Sequence, residues 1–166
     1  MSERTLILDH DRVQAKLQRI AHQLHEELHE EGAVVLVGIA PRGTEVAERL
    51  ATMLRKISDL KVDVLKLELD KNAGLDQPVQ LNADLGLLKD RVVVLVDDVL
   101  MSGRTLMHAA AHLVKAPIKR MTTVVLVDRQ HRAFPIRADI VGLTLSTTLQ
   151  EHISVELGRK DAVHLS

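Results

Sequence analysis

The chain has 166 residues, 46% of them apolar and 27% charged, with a formal net charge of −1. That suits one soluble domain burying roughly two-thirds of its unfolded surface, and it excludes a strongly basic nucleic-acid or membrane-surface protein. The lack of cysteine excludes disulfides and thiolate metal sites, and no apolar run reaches the roughly 20 residues a bilayer requires.

Along the chain, a short strand at 5–8 leads to Asp9, a plausible N-cap. Val13, Leu17, Ile20, Ala21, Leu24 and Leu28 then recur at helical spacing, and Gly32 is expected to stop that helix. The run AVVLVGIA (33–40) reads as an aliphatic strand. After the turn PRGT, a helix carries Val46, Leu50, Met53, Leu54 and Ile57 on one face. Residues 62–69 alternate like a strand. Residues 70–90, with two glycines, a proline and several Asp and Asn, predict a long loop of the kind that often covers an active site.

Residues 91–96 predict a strand buried on both faces, because Val92 to Val96 are all aliphatic. It runs into two adjacent carboxylates, Asp97 and Asp98, and then the turn MSGRT (101–105). A helix is expected at 105–115, ended by Pro117, and a further strand at 121–127. Residues 128–145 read as irregular and basic, with short strand-like pieces to the end. Strands alternating with helices predict an α/β class with a mostly parallel sheet, as a single domain over 1–166. The start, MSERTLILDH, lacks the regions of a signal peptide, so a cytoplasmic location is expected.

Two segments share one plan: AVVLVGIAPRGTEVAERL (33–50) and RVVVLVDDVLMSGRTLMHAA (91–110). Each is a buried strand, a glycine-containing turn with Arg and Thr, and a helix. In parallel sheets such turns line the ligand crevice, and each feeds a helix N-terminus that favours anions. The pattern predicts two neighbouring anion sites beside a carboxylate pair, suited to a ligand with two phosphate groups and a polyol between them. GIAPRGTE (38–45) has P-loop glycine spacing without the lysine, which argues against a nucleoside triphosphate. Two adjacent acids repel and raise at least one pKa unless cations or donors hold them, an arrangement a core does not need.

VVVLVDDVLMSGRT (92–105) resembles the signature of type I phosphoribosyltransferases, which bind 5-phosphoribosyl-1-diphosphate. VLVGIAPRGTEVAERL, VLVDRQHRAFPIRADIVG and the opening LILDHDRVQAKLQRIAHQL are similar to the bacterial pyrimidine-operon attenuator (PyrR) family, whose members also act as uracil phosphoribosyltransferases. The resemblance implies the type I fold with a small hood from the N-terminal segment and about 129–166. It implies that Met101, Ser102, Gly103, Arg104 and Thr105 wrap a 5′-phosphate, and that Asp97 and Asp98 face the ribose hydroxyls and a magnesium ion held mainly through the substrate. Ala40, Pro41, Arg42 and Gly43 correspond to the diphosphate loop, with Ala40–Pro41 suited to a cis peptide; a surface role would also account for Arg42.

Asp128 and Arg129 are expected beside the base pocket, with Ile140 and Val141 as its wall, although Ile140 suits a core equally well. Arg132 and Arg137 fit either the hood or a solvated surface. Where the family carries a tyrosine–arginine–aspartate element, this chain has KLELDKNAGL (66–75), leaving Asp70 and Lys71 as charged replacements. The implied function is transfer of phosphoribose to uracil or another small nucleobase by a homodimer or larger assembly. The alternatives are a nucleotide-sensing attenuator that binds leader RNA, and a member that binds without turnover. Arg12, Lys16, Arg19 and His22 give the first helix a basic stripe that fits RNA or a solvated face, while the pairs His25/His29 and His108/His112 lack an evident third metal ligand.

Overall fold

The computed structural model describes residues 3–71 and 76–166. In chain order its elements are β1 (Thr5–Leu8), α1 (His10–Leu28), β2 (Ala33–Ile39), α2 (Arg42–Ile57), β3 (Lys61–Glu68), β4 (Gln80–Leu81) and a 3-10 turn (Leu85–Leu88). There follow β5 (Val92–Leu100), α3 (Arg104–Leu113), β6 (Arg120–Asp128), β7 (Ile140–Thr144), β8 (Ile153–Glu156) and β9 (Ala162–Leu165). A six-stranded sheet has the order β4-β3-β2-β5-β6-β7, parallel throughout except for the short edge strand β4. A second, antiparallel sheet of order β1-β9-β8 joins the two ends of the described chain.

Period-two alternation divides the core into two layers. Val34 and Leu36 of β2 and Val92, Val94 and Val96 of β5 pack with the apolar stripes of α1 and α2. Val35, Val37, Val93 and Leu95 face the other way, onto Leu106, Ala109 and Leu113 of α3. Both faces of the central strands are therefore covered, which is why these strands read as unbroken aliphatic runs. Asp9 caps α1 by accepting the Arg12 N–H at 2.9 Å, and all six apolar positions expected on that helix are buried.

The structure departs from the sequence expectations in four places. α1 ends at Leu28, with His29 as its cap, so Gly32 is not its terminator. β5 runs on through Leu100, which puts Asp97 and Asp98 inside the strand rather than beyond it. The span expected as a loop at 70–90 contains β4 and the 3-10 turn, while its part at 72–75 lies outside the described residues. Finally, β7 belongs to the main sheet, so the small sheet draws only β8 and β9 from the region expected to form a hood.

Candidate active site

At the carboxyl ends of β5 and β6 lies a cleft of about 400 Å³ lined by Arg42, Lys71, Asp97, Asp98, residues 99–106, Val125, Arg129 and residues 152–155. The parallel pairing explains its place. β2 and β5 are neighbours, with Gly38 opposite Val96, so the turns leaving both strands emerge side by side. The small sheet closes the far side through Ile153 and Val155, which also pack into the core.

The acid pair is nearly water-free: Asp97 is 2% and Asp98 8% exposed. The Asp98 N–H donates to Asp97 Oδ1 at 2.9 Å, and Lys71 Nζ sits 3.4 Å from Asp97 Oδ1 and 3.8 Å from Asp98 Oδ1. Burial first, and the neighbouring Asp98 charge second, push the Asp97 carboxyl well above the ordinary carboxylate range. Lys71 and the Asp98 N–H act in the opposite direction without cancelling them. The two buried acids thus crowd each other, with Lys71 as the cation paired to both. Among the described residues no group of three or more His, Cys, Asp or Glu could hold a metal by itself. Two hard carboxylate oxygens without a third protein ligand fit magnesium, which keeps waters and uses one or two carboxylates plus substrate oxygens.

All five residues expected to wrap a phosphate, Met101 through Thr105, line the cleft. Gly103 adopts φ +87° at the N-cap of α3, and a β-carbon there would lie 2.7 Å from Ile136 Cγ2. Its glycine is needed for the turn and for close packing by the segment at 132–136. The Ser102 hydroxyl, one position before the N-cap, accepts the Arg104 N–H at 3.2 Å.

The segment after β6 braces this turn, a role the sequence did not signal. Arg132 donates from Nη1 to the Met101 carbonyl at 2.7 Å, and its Nη2 holds both oxygens of Asp128 at 2.7 Å. The Ser102 carbonyl accepts from the N–H groups of Ala133 and Phe134 at 2.9 and 3.0 Å. Arg129, only 4% exposed, donates to Thr147 Oγ1, the carbonyls of Thr148 and Glu151, and Met101 Sδ. It therefore ties the 101–105 turn to the chain entering β8.

The remaining expected residues divide. The Ala40–Pro41 peptide is cis, Arg42 reaches the cleft, and Ala40 and Pro41 line a separate pocket with Thr44 and Lys66. Gly43 packs against β5: a β-carbon there would lie 2.6 Å from the Val96 carbonyl oxygen. Asp128 is held by Arg132 and does not line the cleft. Ile140 and Val141 are not brought there either. They pair with Val124 and Val125, and Ile140 is 1% exposed in the α1 side of the core. The aliphatic side chains that do line the cleft are Val99, Leu100, Leu106, Val125, Ile153 and Val155. On α1, Arg19 donates to the carbonyls of Val141 and Gly142, so the basic stripe is partly structural.

The phosphoribosyl transferase domain family matches residues 3–160, a span that holds the acid pair and the 101–105 turn. The chain belongs to the phosphoribosyltransferase family. Among curated relatives, the bifunctional protein PyrR of Pelotomaculum thermopropionicum is 38% identical over 96% of this chain and 92% of its own length. That of Bacillus subtilis is 34% identical over 97% and 94%. The fold is also that of the hypoxanthine phosphoribosyltransferase of Trypanosoma cruzi, with TM-score 0.78, 14% identity and coverage of 96% and 95% of the two chains. The hypoxanthine-guanine phosphoribosyltransferase of Bacillus anthracis superposes with TM-score 0.74 at 18% identity, covering 97% and 98%.

Proposed function

We propose that the protein transfers the phosphoribosyl group of 5-phosphoribosyl-1-diphosphate to a nucleobase, most favourably uracil, releasing diphosphate. The observation that carries this reading is the convergence in one cleft of Asp97 and Asp98, the 101–105 turn at the α3 N-terminus, and Arg42 after the cis peptide. In this reading the turn and the helix dipole take the 5′-phosphate. Asp97 and Asp98 orient the ribose hydroxyls, and Arg42 faces the diphosphate. Magnesium, when bound with the sugar diphosphate near the acid pair, supplies charge neutralisation of the leaving group.

The bond from ribose C1 to the diphosphate oxygen breaks with its electron pair leaving on diphosphate. A ring nitrogen of the base forms the new bond to C1 and gives up its proton. No covalent protein intermediate is needed; orientation and the carboxylate field beside the developing positive carbon supply the catalysis. Ile153 and Val155 offer aliphatic contact to the base, and among the described residues no Phe, Tyr or Trp lines the cleft, which favours a small pyrimidine. The relatives described as PyrR and the resemblance of their motifs support uracil. A cytoplasmic, self-associating enzyme belongs to the same reading, consistent with a cysteine-free chain.

The deciding assay mixes purified protein with magnesium, phosphoribosyl diphosphate and each common nucleobase, and measures diphosphate release. Turnover with uracil is expected, and Asp98→Asn is expected to lower it by roughly 10²–10⁴. Absence of turnover with every base would overturn the enzymatic reading. A second reading, regulation through leader RNA, is favoured by the description of the relatives as bifunctional. Exposed Arg12 and His22 on α1 offer it contacts, and a salt-sensitive shift of pyrimidine leader RNA is its test.

A further inference from the structure

Lys71 contributes the cation of this cleft that reaches both acids. Arg42, Arg104 and Arg129 also line the cleft, but among the described residues Lys71 alone forms ion pairs with Asp97 and Asp98, at 3.4 and 3.8 Å. The two carboxylates are buried, whereas the lysine side chain is 38% exposed on a flexible stem. The ammonium thus stands against the same two carboxylates that would meet a magnesium ion, and two cations at that spacing repel strongly where the surroundings screen poorly.

We infer that Lys71 is the resident counter-ion of the acid pair in the ligand-free protein, and that it excludes free divalent cations until a sugar diphosphate brings the metal in. This rests on the proposed phosphoribosyltransferase reading. The diphosphate resolves the conflict because its negative oxygens neutralise the incoming metal and offer Lys71 a new partner. Binding is thereby ordered: the acid pair accepts the metal together with the sugar diphosphate, not before it. Lys71 acts as a positioning residue that keeps the buried carboxylates apart from stray cations.

The test uses manganese as a spectroscopic substitute for magnesium, with electron paramagnetic resonance reporting free against bound ion. Wild-type protein is expected to bind manganese weakly alone and more tightly with phosphoribosyl diphosphate. Lys71→Met is expected to tighten binding in the absence of the sugar by about tenfold or more, the scale of one unit charge removed at ion-pair distance. Lys71→Arg should behave like wild type, and adding Asp97→Asn to Lys71→Met should abolish the gain. Equal manganese affinity of wild type and Lys71→Met without the sugar would overturn the inference, whatever the enzyme does with its substrates. If instead phosphoribosyl diphosphate failed to increase manganese retention by wild type, the phosphoribosyltransferase reading itself would fall.

Discussion

Gly43 lies against the backbone of Asp97: a β-carbon at position 43 would stand 3.0 Å from Asp97 Cα and 3.2 Å from its Oδ1. The contact joins the first turn of α2, just after the Ala40–Pro41 cis peptide, to the strand that carries the acids. Because the Val96 and Asp97 backbone atoms belong to a central strand, they cannot step aside. Gly43→Ala is expected to destabilise the protein by about 1–3 kcal/mol, the usual cost of overpacking. It should lower kcat/KM by roughly 10²-fold through misplacement of the two loops. Urea denaturation and steady-state kinetics check the two effects separately.

The buried acid pair trades stability for a ligand site. The folded state raises the Asp97 pKa through burial and the Asp98 charge. The stability linked to this carboxyl is therefore full below its unfolded pKa and is lost as pH rises through the folded value. Asp97→Asn cannot ionise, and its amide oxygen can still accept the Asp98 N–H. The ligand-free variant is expected to melt above wild type at neutral pH, with the difference vanishing in acid, while turnover falls roughly 10²–10⁴-fold. Thermal melts from pH 4 to 8 would count against this account if wild type stayed the more stable protein throughout.

Asp161 behaves in the opposite sense. Burial works against its charge, but hydrogen bonds from Arg49, the Gly158 N–H and Gln14 outweigh that and hold its carboxyl below the ordinary range. Its own N–H donates to His10 Nδ1 at 3.0 Å, so the residue pins the β8–β9 connection to α1 and α2. Its contribution is present above the unfolded pKa and lost as pH falls through the depressed folded value. Asp161→Asn is expected to cost roughly 1.5–3 kcal/mol near pH 7, the scale of a charge-assisted hydrogen bond. The penalty should shrink in acid; a deficit constant from pH 7 to pH 3 would refute it.

Arg129 couples two parts of the site. Replacing it by methionine keeps the apolar stem but leaves the Thr148 and Glu151 carbonyls without their guanidinium donor. Arg129→Met is expected to destabilise by roughly 2–4 kcal/mol. On the proposed function it should raise KM for phosphoribosyl diphosphate more than it lowers kcat, because the 101–105 turn loosens while the acid pair keeps its own contacts. A change confined to kcat would argue that the guanidinium touches the reacting atoms instead.

Much of this site was legible before any fold was known, because its chemistry is local. The aliphatic run 92–96, Asp97, Asp98, Ser102, Gly103 and Thr105 follow one another in the chain, and strand, turn and helix start must therefore be neighbours. The cis peptide at Ala40–Pro41 likewise needs only two adjacent residues. Lys71 is different. It stands out in the sequence only as a charged replacement for a family element; its pairing with Asp97, 26 positions away, depends on the fold. From sequence, Arg129 is expected beside a base pocket and Arg132 in the hood or on a solvated surface; their bracing role is hidden because the carbonyls they hold are spread over Met101, Ile136, Thr148 and Glu151.

By itself, the sequence determined the main strands and helices, which helix faces are apolar, and that an acid pair and a Ser-Gly-Arg-Thr turn follow one aliphatic strand, since each depends on periodicity or adjacency. Only the tertiary structure decided register and end. Ile140 is as apolar as Ile153, yet its pairing with Val124 leaves it in the core while Ile153 reaches the cleft. A hydrophobic pattern names the face a side chain takes, but the level at which it meets its neighbours depends on strand register, which is set by contacts between distant segments.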